Sequence, residues 1–201
     1  MTIRRRWTVL AFSVFVCAAV LGGVIVFGGF GTHRQEGKVM NTTRIPVDHV
    51  RLATDKPFGD VTKAFEQQVG RFDPDVYKAL AEGGDAEGAK AKIAVMAGPS
   101  GFMLFRTSDH GALLRLVGQN RKAVQYLLGN PLFAIQMTQH DIRAGLYAPL
   151  RVLVYEDEGG KTCVEYDRPS SLFGQFGNAS VTEVATMLDR KLEQLVAEAI
   201  R

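Results

Sequence analysis

Leu150-Arg151-Val152-Leu153-Val154-Tyr155-Glu156, then Glu158-Gly159-Gly160-Lys161, then Thr162-Cys163-Val164-Glu165-Tyr166-Asp167 is the stretch whose reading decides the fold. In an extended chain, successive side chains point to opposite faces. Leu150, Val152 and Val154 therefore share one face, and Arg151, Leu153 and Tyr155 the other. The Gly-Gly pair supplies a hairpin turn, so Thr162 to Asp167 returns as an antiparallel strand. A half-buried antiparallel hairpin needs further strands beside it and a helix over its apolar face.

Both are found by working outward. Toward the C-terminus, Ser180 with Glu183 three positions on reads as a capping box. Val184, Leu188, Leu192, Leu195, Val196 and Ala199 follow as one apolar stripe. Toward the N-terminus, Leu132 to Leu146 reads as helical, with Met137 inward and His140 at the edge. Ala123 to Leu128 is a strand closed by Gly129-Asn130-Pro131, with Gly129 expected at a positive φ. Leu113 to Val117 suggests a helical turn, and Phe102 to Thr107 a strand. Before it come three helical segments. The first is capped by Asp55 and carries Phe58, Val61, Phe65 and Val69 on one face, with Gly70 as its stop. The second starts at Asp73-Pro74, with Val76, Tyr77 and Leu80 inward. The third runs from Asp85 to about Ala97. His49 to Thr54 is the first strand. The expectation is an α+β domain: a mainly antiparallel sheet of about five strands, helices packed on one face, and one transmembrane helix in front.

That front segment is residues 7–30, a run with no charged residue. As a helix it would reach about 36 Å, enough for a hydrocarbon core of ~30 Å. Arg4, Arg5 and Arg6 precede it and account for the whole net charge of +3. By the positive-inside rule, residues 1–6 are a cytoplasmic basic end. Residues 31–44 are then a polar linker, and residues 45–201 an extracytoplasmic domain at the cytoplasmic (inner) membrane. A cleavable signal peptide ending near Gly29 and Gly31 is the alternative, although the run exceeds the usual apolar length. The domain itself is electrically balanced, which argues against a nucleic-acid partner. Cys17 and Cys163 are the only cysteines in the chain, so no disulfide framework is expected.

Four segments in order carry a resemblance: Gly101-Phe102-Met103-Leu104-Phe105 ending in Asp109-His110; Leu128-Gly129-Asn130-Pro131; Ala148-Pro149-Leu150 through Asp157; and Val164-Glu165-Tyr166-Asp167-Arg168-Pro169. Together they resemble the domain of unknown function 302 family over about Val47 to Ile200. The resemblance implies a TATA-binding-protein-like α+β fold, running strand, helix, four strands, helix. It also implies a homodimer, and it supplies no activity. Residues 72–97 form a helical insertion longer than compact members carry.

Function rests on a few polar side chains. His110, Asn130, Tyr155 and Tyr166 are the candidate ligand-binding residues, on the expectation that the hairpin makes a pocket wall beside His110. An Asp109-His110 pair suits a general base, yet neighbours in a strand point apart; a turn in which Asp109 bonds nearby backbone and His110 packs or bonds a neighbour is the plainer reading. Asn130 between Gly129 and Pro131 suits a turn as well as a ligand. Met137 and His140 offer thioether and imidazole to copper. No two of His33, His49, His110 and His140 stand at a ligand spacing, so no metal site is assigned. Cys163 is expected to behave as a small buried residue, and Asp167 to pair with Arg168 or Arg151. No cofactor motif is present. The leading expectation is a membrane-anchored domain binding a small molecule or an envelope protein. An enzyme using His110 as base and a metal-handling module are the alternatives.

Overall fold

A computed structural model describes residues 40–201, and its compact unit runs from Thr43 to Arg201. The expected cytoplasmic end, apolar span and most of the linker lie outside the described residues. Among the described residues, no helix is long and apolar enough to cross a membrane.

Six strands form one mixed sheet: β1 (His49–Thr54), β2 (Gly70–Arg71), β3 (Met103–Asp109), β4 (Ala123–Gly129), β5 (Leu150–Glu156) and β6 (Thr162–Asp167). Their spatial order is β1-β6-β5-β4-β3-β2. The hairpin β5–β6 pairs antiparallel with Val154 opposite Val164. β1 adds antiparallel to β6, and β4 to β5. The sheet has six strands rather than about five because β2 escapes a periodicity argument. It is two residues long and lies parallel to β3. Close packing of two glycines permits it. A Cβ on Gly70 would stand 1.7 Å from the carbonyl oxygen of Met96, and one on Gly98 would stand 2.4 Å from the amide nitrogen of Gly70.

Helices α1 (Phe58–Glu66), α5 (Pro131–Thr138), α6 (Pro169–Phe173) and α7 (Ala179–Ile200) contribute to the main apolar cluster. Val61, Phe65, Leu188, Leu192 and Val196 meet Val152, Val154, Val164, Tyr126 and Tyr166 there. Burying each such side chain stabilises the fold by about 1.5–3 kcal/mol relative to exposure. The helices do not all lie on one face. Met103 alternates away from Leu104, and it is buried in a second cluster with Val76, Ala89 and Ile93. Those residues belong to α2 (Asp75–Ala81) and α3 (Ala86–Met96), the expected insertion, which thus covers the β2–β3 edge of the sheet.

Local starts and stops depart from expectation at several points. Asn178, not Ser180, caps α7, its side chain accepting from the Ser180 and Val181 amides. Pro57, not Asp55, precedes α1; Asp55 pairs with Lys161 instead. Of the second helix only Val76 is buried, and Tyr77 and Leu80 are exposed. The expected helix from Leu132 to Leu146 breaks after Thr138. Asp141 then caps a separate 3-10 turn, Ile142–Tyr147, by accepting from the Arg143 amide. Gly129 keeps a negative φ, since it ends β4 in register with Met103.

Candidate functional site

Asn130 occupies the junction of β4 and α5. Its side-chain oxygen accepts from the Leu132 amide at 2.8 Å and caps the helix, while its Nδ2 donates to the Gly101 carbonyl at 2.8 Å. The turn role is observed, and the same buried amide lies in the wall of a cavity of about 190 Å³. The cavity is lined by Phe102, Phe133, Met137, Phe173 and Leu188, and framed by Tyr77, Gly145 and Pro149. An amide has two N–H donors and two acceptor positions, so these two bonds leave one of each on Asn130 unused. Cavities of ~150 Å³ hold benzene, which sets the scale of what fits.

His110 and Tyr155 are brought together elsewhere, in a shallow groove on the other face of the sheet shared with Leu114, Arg121, Lys122 and Leu153. His110 does not end a strand. It opens α4 (His110–Leu114), and Asp109 caps that helix by accepting from the Ala112 amide at 2.8 Å. Asp109 is therefore engaged with backbone and does not orient the imidazole. Lys122 in this groove is paired with Glu156 at 2.8 Å. Tyr166 lies on the opposite, helix-covered face, opposite Val152 and Val50. Burial pushes its phenol up. The four candidates thus occupy three places. Met137 and His140 also separate: the first lines the Asn130 cavity, and the second is exposed beside Gln139. Among the described residues, no three His, Cys, Asp or Glu side chains gather as a metal ion would require.

An unforeseen ionic network crosses β1, β6 and β5. His49 and Arg51 alternate onto one face, opposite Asp167 and Glu165 in register. The His49 imidazole bonds Asp167 through Nδ1 at 2.9 Å and Glu165 through Nε2 at 3.2 Å. These two hydrogen bonds, Asp167 first, raise its pKa above 6.5. Asp167 is thus taken by His49, and Arg168 pairs with Glu193 at 2.7 Å. Tyr155 donates to Glu165 at 2.6 Å, and that bond holds its phenol up. Burial pushes Glu165 up, but hydrogen bonds from Tyr155 and His49 outweigh it and leave the carboxyl below its ordinary range. Arg51 donates to Asp157 and to the Cys163 sulfur, each at 3.1 Å. Cys163 is fully buried there, as its small-residue reading expects. The partners in this network are largely satisfied by one another, so it reads as a clasp on the edge strand.

Comparison with known proteins bears on the family and the fold. No curated protein matches the chain. The crystal structure of an uncharacterized conserved protein DUF302 from Bacillus stearothermophilus superposes with a TM-score of 0.54 at 16% identity. The match covers 76% of this chain and 98% of that one, a likeness of fold alone. Residues 78–199, from the second helix almost to the end of α7, match the family described as Domain of unknown function DUF302. The segment includes β3–β6, the Asn130 cavity's capping turn and the covering helix, and with it the chain belongs to the DUF302 family.

Proposed function

We propose that this protein is a membrane-anchored binding module, taking one small, largely apolar molecule in the Asn130 cavity. The observation that carries the reading is the cavity itself: aromatic and aliphatic walls, one buried amide with spare hydrogen-bonding capacity, and room for a single ring with a substituent or two. Such a site selects a monocyclic aromatic or short branched molecule bearing one polar group. The charge pattern of the sequence supports an anchor at residues 7–30 with the domain on the extracytoplasmic side. The groove of His110 and Tyr155 lends less support to an enzyme, because the imidazole there has no carboxylate oriented against it.

Both apolar clusters lie within residues 43–201, so that fragment is the sample for a thermal-shift panel of phenols, benzyl alcohols and branched alcohols. At one hundred times its Kd, a ligand stabilises the folded state by about 2.7 kcal/mol. The shift should vanish in A134L, which fills the cavity from α5. No shift across the panel, or one that survives A134L, would overturn the reading.

A further inference from the structure

We propose that the 3-10 turn Ile142–Tyr147 rests on the surface of a lipid bilayer, placing the mouth of the Asn130 cavity at that surface. The inference rests on the anchored ligand-binding reading above and adds where the ligand comes from. On this turn Ile142 is 80% and Leu146 77% exposed, whereas Ala144 between them is fully buried. Gly145, beside Leu146, frames the cavity together with the exposed Tyr77 and Pro149. The same few residues therefore make the wall of an apolar cavity and an apolar knob beside its opening.

Charge at the knob is compensated on the turn itself, while Arg151 in the groove beside Leu146 is exposed and has no ion-pair partner among the described residues. Arg143 pairs with Asp141 at 2.6 Å and lies 5.0 Å over the Phe176 ring. Two aliphatic side chains beside one exposed cation suit shallow insertion between lipids, with Arg151 at the level of the phosphate headgroups. They are too few for a stable protein interface, which buries about 800 Å² per partner and relies on aromatic or arginine anchors.

The place where the chain enters the domain points the same way. The Asp48 amide donates to Ser171 at 3.1 Å, and its carbonyl accepts from Arg168 at 2.8 Å, so the entry is fixed to α6. α6 packs on the turn through Phe173 and Tyr147, whose rings lie 6.1 Å apart. Leu146 shares a groove with Asp167 and Leu172 of that region. Residues 31–47 reach at most about 60 Å, so an anchor at residues 7–30 would keep the entry point within that distance of the bilayer and raise its effective concentration there. The Leu116 end lies a strand length, about 20 Å, from that entry point. Apolar molecules concentrate in lipid, and a mouth held against lipid would load from it directly.

Trp7 is the only tryptophan in the chain, so the test replaces it and introduces one reporter at a time. Full-length W7F/L146W and W7F/L116W chains are reconstituted into vesicles containing brominated phosphatidylcholine. Leu116 is 85% exposed and serves as the distant control. Fluorescence at position 146 should be quenched at least threefold more than at position 116, and I142D should abolish the difference. Equal quenching, stronger quenching at position 116, or chains that fail to float with the vesicles would each overturn the proposal. The ligand reading fails separately: the thermal-shift panel stays silent while position 146 is still quenched.

Discussion

Replacing Asn130 with Ala separates its structural role from its place in the cavity. Asn130 is 8% exposed and holds two main-chain groups, the Leu132 amide and the Gly101 carbonyl, each at 2.8 Å. Losing an N-cap costs about 1 kcal/mol. Leaving the Gly101 carbonyl unpaired adds about 1–3 kcal/mol, with the lower figure applying if a cavity water replaces the amide. N130A should therefore lose about 2–4 kcal/mol in urea unfolding of residues 43–201. For a domain of this size that lowers Tm by roughly 5–12 °C. N130D sharpens the argument. Its carboxylate keeps the cap but sets negative charge against the Gly101 oxygen, and the protonated acid alone can donate there. Its folded-state pKa is thus raised, the folded protein binds more protons than the unfolded one, and stability rises as pH falls. N130D should be less stable than N130A at pH 7 and recover toward wild type at pH 5. A loss below about 0.5 kcal/mol in N130A, or an N130D stability that falls on acidification relative to wild type, would refute the reasoning.

Three further outcomes are expected. V152D puts an unpaired charge on the fully buried face of β5 and should cost about 3 kcal/mol or more, checked by the same urea titration. I93A opens the second cluster and should cost about 2–4 kcal/mol; hydrogen exchange should accelerate in α2 and α3 while α7 stays protected. His49 is raised above 6.5 by Asp167 and Glu165. Its contribution is therefore complete below pH 6.5 and is lost as pH rises through the folded value, and H49Q should lack that decline between pH 6 and 8. Because the imidazole is half exposed, the effect is small and is read as a difference between the two pH profiles.

Much of the sheet is legible because alternation is a local property. β1, β4, β5 and β6 fall within a residue of their expected spans, since each carries an apolar face that only a strand register satisfies. β2 is not legible, because two residues carry no period and its place depends on Gly98, nearly thirty residues on. Caps misread at Asp55 and Ser180 share a cause. In each case a tertiary or neighbouring contact decides: Asp55 is drawn to Lys161 and α1 starts after Pro57 with no side-chain cap, while Asn178 takes the amides at the start of α7. Asn130 and Tyr155 are visible as unusual residues in turn and strand. The walls of the cavity are not, because Phe102, Phe133 and Phe173 look like any other core phenylalanines until three separate elements meet. His49 and Arg51 stand two apart in β1, and that spacing was the available signal for the ionic clasp.

The pairing of β1 with β6 has a consequence for how the chain is born. His49 meets Asp167 across 118 residues, so the first strand made has no neighbour until the last strand leaves the ribosome. At ~5–20 residues per second that wait is on the order of 10 s, far longer than a hairpin needs to form. β5 and β6, joined by a short turn, can pair at once and form the template. During the wait β1 is a lone strand with open main-chain donors and acceptors, the kind of segment that recruits strands from other chains. Its alternate positions carry His49 and Arg51, which are charged or polar and ill suited to a dry contact between copies. The residues that later clasp the edge strand to Glu165 and Asp167 thus also guard it while it has nothing to hold.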